Sequence, residues 1–210
     1  MSSPVVYIVD DDTDVRRSIQ RLLLSVGLVS ETFATADDFL QHVDRDRLGC
    51  VVMDVRMPRV SGLDAQRRLA ESGVEIPLIF VTGHADISAV VRAMKAGAVE
   101  VFGKPFDHQA FIDAVHRAID RDRRRREERR SLDVLQSRFE SLSAREREVM
   151  ALVVTGKLNK EVAAALGTTE KTVKAQRAQV MRKMEALSLP DLVRMADRLS
   201  GTGPARSLGH

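Results

Sequence analysis

The sequence predicts an α/β doubly wound, five-stranded parallel sheet followed by a small all-α domain of four helices. Three observations carry this. Five short apolar, β-branched runs alternate with helical patterns through the first 120 or so residues. From Ser131 onward the apolar residues recur only at helical spacing. Charge divides at the same place: residues 1–119 hold 13 basic and 17 acidic side chains, and residues 131–210 hold 13 and 9. The near-neutral total of +3 over 210 residues therefore hides an acidic half and a basic half.

The elements follow in order. Val5–Val9 is a first buried strand, ending on Asp10, Asp11 and Asp12. Val15, Ile19, Leu22, Leu23 and Val26 then form one face of a helix, which Gly27 stops. Val29–Phe33 is a weaker strand, and Cys50–Val55 and Pro77–Thr82 are strong ones. A helix over Asp86–Ala96 precedes the last strand, Val99–Gly103. Phe111, Val115, Ala118 and Ile119 mark the next helix. Residues 120–130 (DRDRRRREERR) carry 7 basic and 4 acidic side chains and neither Pro nor Gly, so they extend that helix. This run reads as a solvated helix or linker, or as an added attraction for nucleic acid.

The second half begins its helices at Ser143, where Ser143-Ala-Arg-Glu146 is a capping box. That helix runs to about Val154. Asn159 is read as the cap of a second helix, Lys160–Leu166. Gly167-Thr168-Thr169 turns into a third, from Glu170 to about Met184, and a fourth spans about Pro190–Leu199 with Ser188 as cap. Two short helices joined by such a turn are a helix-turn-helix. The division expected is 1–122, a linker at 123–141, a helical domain at 142–200 and a frayed tail at 201–210.

Composition excludes several classes. No apolar run is long enough to span a bilayer, and the N-terminus turns acidic too early for a secretory signal, so a cytoplasmic location is expected. The single Cys50 rules out an intrachain disulfide and a cysteine-rich zinc site. With no Trp and one Tyr, recognition of single strands by stacking is disfavoured.

In a parallel sheet ligands sit at the carboxyl ends of the strands. Asp10–Asp12, Asp54, Thr82 and Lys104 all fall there. Converging carboxylates need a cation, and an all-oxygen set selects a hard ion such as Mg²⁺ (or Mn²⁺). A carboxylate beside such an ion, a hydroxyl and a lysine is a phosphoryl-accepting site. On the third helix of the second half, Lys171, Lys174, Ala175, Ala178 and Arg182 form one stripe. It is basic at its ends and small between, so it could lie close to base edges or be an ordinary solvated face.

VDDD at 9–12, MDVRMP at 53–58 with Gly62, VTGH at 81–84 and KPF at 104–106 resemble the receiver domain of two-component response regulators over about residues 4–122. The resemblance implies that Asp54 accepts the phosphoryl group. It implies that Asp11 binds the metal directly, Asp10 largely through water, and Arg56 through its backbone carbonyl. Asp11 is assigned by its register with Arg16, which leaves Asp12 as the extra acid. Thr82 would move onto the phosphoryl group, and Lys104, before a cis Pro105, would bond it. His84 is expected to be structural or solvent-facing. The family's switch aromatic is replaced by Val101. Neighbouring Phe102 faces the other side of the strand and cannot stand in for it.

Residues 142–199 resemble the helix-turn-helix of the LuxR/FixJ/NarL class. The carrying features are the Arg145-Glu146 pair, the Asn159-Lys160 stretch and Thr172-Val173-Lys174. This implies Lys174, Ala175 and Ala178 at base-facing positions, with Arg177 reaching either bases or phosphate. Asn159, Lys160, Thr169, Lys171 and Thr172 would hold the DNA backbone. Leu192, Val193, Ala196 and Leu199 would form a dimer surface.

The whole implies a phosphorylation-controlled DNA-binding transcriptional regulator and not an enzyme. Its partners would be a sensor histidine kinase, double-stranded DNA, RNA polymerase and a second copy of the chain, with no membrane. Two other readings compete. An Mg²⁺-dependent phosphatase with its nucleophile among Asp10–Asp12 has the wrong following spacing. A receiver acting through protein contacts alone would show no salt-dependent DNA binding.

Overall fold

The computed structural model describes residues 3–83 and 87–201. The predicted start of the Asp86–Ala96 helix, His84 and the tail beyond Gly201 lie outside them. The chain divides into two compact units, Met1–Arg126 and Glu127–His210.

The first unit is built on strands β1 (Val5–Val9), β2 (Val29–Phe33), β3 (Gly49–Asp54), β4 (Leu78–Thr82) and β5 (Glu100–Gly103). All neighbouring strands are parallel, in the order β2-β1-β3-β4-β5. The order reverses between β1 and β3, which creates the crevice where parallel sheets bind ligands. Residues of β1, β3 and β4 are buried on both faces, as continuous apolar strands require. Val5, Tyr7 and Val9 join a core with Phe39, Ala65, Leu69 and Phe80. Val6 and Ile8 join another, with Ile19, Leu23, Phe111 and Val115. β3 starts one residue earlier than its apolar run suggests. A Cβ on Gly49 would lie 2.0 Å from the Val5 carbonyl oxygen, so only glycine lets the two strands meet there.

Helices α1 (Thr13–Ser25), α2 (Ala36–His42), α3 (Gly62–Glu71) and α4 (Ile87–Lys95) complete the alternation before α5 (His108–Glu140). Asp12 is the N-cap of α1, accepting from the N–H groups of Asp14 at 2.8 Å and Val15 at 3.3 Å. The same contacts pull its carboxyl below the usual range. The acid that looked extra thus has a structural role.

α5 is a single helix of 33 residues, so the arginine run does extend a helix. Its first part is not solvated linker. Asp122, fully buried, accepts from the Gly49 N–H at 3.0 Å, Arg125 at 2.6 Å and Arg126 at 2.7 Å. Arg126 also donates to the carbonyls of Arg45 at 3.0 Å and Arg47 at 2.9 Å. This cluster sits at the amino end of β3, the end opposite Asp54. Cys50 next to it is wholly buried, and burial pushes its thiol pKa far up.

The second unit contains α6 (Ala144–Val153), α7 (Asn159–Ala165), α8 (Glu170–Met184) and α9 (Leu189–Ser200). Val149, Val153, Val162, Val173, Val180, Met184 and Leu192 form its core, with Leu135 of α5. The capping box is present: Ser143 Oγ accepts from the Glu146 N–H at 3.2 Å, and the Glu146 carboxylate accepts from the Ser143 N–H at 2.7 Å. Lys183 donates to the same carboxylate at 2.6 Å and fastens α8 to the start of α6. Lys183, then the Ser143 N–H, hold the Glu146 carboxyl below its ordinary range.

Two expectations fail here. Asn159 is the first helical residue of α7, and the cap position belongs to Leu158, whose backbone is extended. The Glu161 carboxylate accepts from the Leu158 N–H at 2.7 Å, which is the acidic half of a capping box without the side-chain half. Leu192 is fully buried in its own unit, so it cannot belong to a dimer surface. Ala196 and Leu199 also pack against that core.

Candidate functional site

The carboxyl ends of β1 and β3 bring Asp10, Asp11 and Asp54 together. A carboxylate oxygen from each lies within 4.8 Å of the others, with Asp10 and Asp54 buried and Asp11 exposed. Asp10 is tightly held. Its Oδ1 accepts from the Asp12 N–H at 2.9 Å and its Oδ2 from Lys104 at 2.7 Å. Arg16 donates to the Asp10 carbonyl at 2.6 Å and to Thr13 Oγ1 at 2.9 Å, which locks the turn that presents the acids. In the sequence Arg16 stands out only by its register with Asp11. Its spacing gave no sign of this clamp.

Asp54 ends β3. Its Oδ1 is buried and has no hydrogen-bond partner among the described residues. Burial pushes its carboxyl up, the Lys104 charge opposes this, and the Asp10 charge adds to it. A buried carboxylate oxygen left unpaired beside two more carboxylates fits a cation site. Among the described residues, this is the acidic cluster whose oxygens converge so closely.

Gly62 positions the acid from behind. Its N–H donates to the Val55 carbonyl at 3.0 Å. A Cβ there would stand 2.2 Å from the Asp54 carbonyl oxygen and 2.9 Å from Phe80 Cε1. Helix α3 can therefore start against the Asp54 peptide only with glycine. In the sequence Gly62 stands out only through the resemblance it shares with residues 53–58; in the structure Ser61 before it caps α3, accepting from the Asp64 N–H at 3.2 Å.

Thr82 is buried at the end of β4, and its carbonyl accepts from the Lys104 N–H at 2.8 Å. Lys104–Pro105 is cis. Thr82 and Lys104 thus flank the acids as expected. Arg56 follows Asp54 with its side chain exposed. Val101 pairs with Phe80 and packs on one core, while Phe102 packs on the other, 5.9 Å from Phe106 and 5.8 Å from Phe111 between ring centres. Phe102 is indeed turned away from the face that Val101 occupies.

In the second unit Thr169 caps α8, accepting from the Thr172 N–H at 3.2 Å. Lys160, Lys171, Thr172, Lys174, Ala175, Ala178 and Arg182 are exposed. Lys160, Lys171 and Lys174 form no ion pair among the described residues. Arg182 contacts Gln179 on its own helix. Arg177 is half-buried and donates to Asn159 Oδ1 at 3.2 Å, a bond between α7 and α8. The stripe of cations and small residues on α8 is therefore an outward surface, with Arg177 and Asn159 joined at its edge.

Comparison with known proteins agrees with both halves. Residues 6–116 match the response regulator receiver domain, and residues 140–196 match the bacterial regulatory proteins of the luxR family. Nodulation protein W of Bradyrhizobium diazoefficiens is 51% identical over 195 residues, 93% of this chain and 86% of that protein. The transcriptional regulatory protein FixJ of Rhizobium meliloti is 40% identical over 98% of this chain and 100% of its own. Among solved structures, the response regulator StyR superposes with a TM-score of 0.85 at 42% identity, covering 94% of this chain and all of that one. No helix among the described residues is long and apolar enough to cross a membrane. With an acidic pocket at the strand ends of one unit and a basic helix-turn-helix in the other, this chain belongs to the response regulators of the LuxR/FixJ family, phosphorylation-controlled transcriptional regulators that bind DNA.

Proposed function

We propose that Asp54 is the phosphoacceptor, within a receiver domain of 1–122 joined by 123–141 to a DNA-binding domain of 142–200. The observation that carries this is the unpaired, buried Oδ1 of Asp54 beside Asp10 and Asp11. One carboxylate oxygen of Asp54 attacks the phosphorus of a phosphohistidine on the partner kinase. The P–N bond breaks, the imidazole leaves, and an acyl phosphate forms. Asp10, Asp11, Asp54 and the Arg56 carbonyl would hold Mg²⁺ or Mn²⁺, which when bound supplies positive charge for the phosphoryl oxygens.

Lys104, resting on Asp10, exchanges part of that contact for a phosphoryl oxygen. The Thr82 hydroxyl donates to another oxygen. About two new negative charges thereby draw β4 and β5 toward Asp54. Val101 follows without a large rotamer change. The chain has at most slow self-dephosphorylation and no catalytic turnover of its own.

Lys174, Ala175, Ala178 and Arg177 face bases, and Asn159, Lys160, Thr169, Lys171, Thr172 and Arg182 hold phosphates, in a helix-in-groove arrangement. Phosphorylation favours a dimer reading two half-sites, and the bound dimer engages RNA polymerase in the cytoplasm. The test is incubation of the full chain with acetyl phosphate and Mg²⁺, followed by peptide mass analysis. Phosphoryl on the peptide bearing Asp54, absent in Asp54→Asn, supports the assignment. Full incorporation in Asp54→Asn overturns it.

A further inference from the structure

Gln66 is an unusual residue to find where it is. It lies on α3 and is only 5% exposed. Its Nε2 donates to the carbonyls of Ala96 at 3.1 Å and Ala93 at 3.4 Å, both in the last turn and exit of α4. Two carbonyl partners fix which end of the amide faces α4, since only the nitrogen can donate. Its Oε1 is buried with no hydrogen-bond partner among the described residues. A buried amide left half-satisfied is costlier than an apolar side chain of the same shape. The two donated bonds offset part of that cost, but the unpaired oxygen still asks for a reason.

Its place in the fold gives one. α3 begins at Gly62, in near contact with the Asp54 peptide, and Gln66 lies one turn further along the same helix. α4 is the helix that follows Thr82 in the chain. Its exit is a tight one: the Gly97 N–H donates to Met94 at 3.0 Å and the Ala98 N–H to Ala93 at 3.1 Å, with Gly97 at φ +91°. Helix ends leave carbonyls without intrahelical partners. Gln66 reaches across to the Ala96 carbonyl, and at longer range to that of Ala93, which already accepts from the Ala98 N–H, and so bonds the end of α4 to the helix seated on Asp54.

We propose that Gln66 is a positioning residue that couples the Asp54 loop to α4 through the body of α3. The route is Asp54 carbonyl, Gly62, one turn of α3, the Gln66 amide, and the terminal carbonyls of α4. It is separate from the Thr82 and Lys104 side of the pocket. Because the Asp54 peptide is held against Gly62 without slack, even a small strain placed on it by phosphorylation is passed to α3 and pulls or releases the end of α4. The inference rests on Asp54 being the acceptor.

The test uses the full chain with acetyl phosphate and Mg²⁺. Phosphoryl occupancy is read by mass, and amide hydrogen exchange is followed across residues 92–98. In the parent, phosphorylation changes protection at 92–98. Gln66→Met keeps the length and helix preference of the side chain but cannot donate; Gln66→Leu serves if it does not fold. The variant should reach the parent's occupancy, with the phosphorylation-induced change at 92–98 largely lost. An undiminished change in the variant overturns the proposal, as does a phosphorylated parent that shows no change there. An unphosphorylated parent overturns instead the assignment of Asp54.

Discussion

Replacing Gly62 with alanine tests how closely the acceptor is held from behind. The new Cβ would fall 2.2 Å from the Asp54 carbonyl oxygen and 2.9 Å from Phe80 Cε1. Ordinary van der Waals contact begins at 3.4 Å, so about 1.2 Å of space must open against the backbone oxygen. Neither neighbour yields easily, because Asp54 is fixed in the β3 ladder and Phe80 is fully buried. Overpacking of this kind costs about 1–3 kcal/mol of stability. The functional loss should be larger. A misplacement of about 1 Å at a reacting group costs about 100-fold in rate. Gly62→Ala should therefore remain folded at room temperature while its phosphorylation by acetyl phosphate and Mg²⁺ slows by about two orders of magnitude. The assay is the time course of the mass increase, with circular dichroism as the check on folding. A folded variant phosphorylated within threefold of the parent would refute the reasoning, since it would mean that the Asp54 peptide is free to move.

Three further outcomes follow from other sites. Asp122→Ala strips partners from a buried N–H and from two arginines that keep some exposure. It should cost about 2–4 kcal/mol and raise hydrogen exchange across 120–126; unchanged exchange there would mean the cluster holds nothing. Glu146 has a folded pKa below its unfolded value, so its stabilisation is present above the unfolded pKa and lost as pH falls through the folded one. Melting of α6–α9, followed at their protected amides, should weaken as pH drops below about 4.5. Glu146→Gln should be less stable at neutral pH and show a flatter acid limb; an identical acid limb would rule Glu146 out as its source. Lys160→Ala with Lys171→Ala should weaken DNA binding and lower the salt slope by about 2, one unit per lost phosphate contact. A slope unchanged by both substitutions would remove these side chains from the interface.

The sequence made the sheet and most helices legible because burial leaves a period. β1 and β2 begin and end where their apolar runs do, and Val173, Val180 and Met184 point inward as their spacing requires. The acidic pocket was legible for a different reason: parallel strands deliver their carboxyl ends to one edge, so Asp10, Asp54, Thr82 and Lys104 had to meet. Long-range polar bonds leave no such trace. Nothing near Asp122 says that its carboxylate reaches Gly49, 73 residues away, so Arg125 and Arg126 looked like linker. Asn159 looked like a cap because its residue type suits one, yet the helix starts one residue earlier, with the Glu161 carboxylate bonded back to the Leu158 N–H. On α9 an amphipathic stripe could not reveal which side was already covered, and Leu192 proved to be core.

Under the proposed function, phosphorylation of Asp54 controls DNA binding by the second unit. The most direct measurement is the affinity of the full chain for its promoter DNA at fixed salt, with and without acetyl phosphate and Mg²⁺, in the parent and in Asp54→Asn. The phosphoryl donor should raise affinity in the parent by at least about tenfold, a coupling of roughly 1.4 kcal/mol, and leave Asp54→Asn unchanged. An equal rise in Asp54→Asn, or no rise in a parent shown to be phosphorylated, would contradict this control.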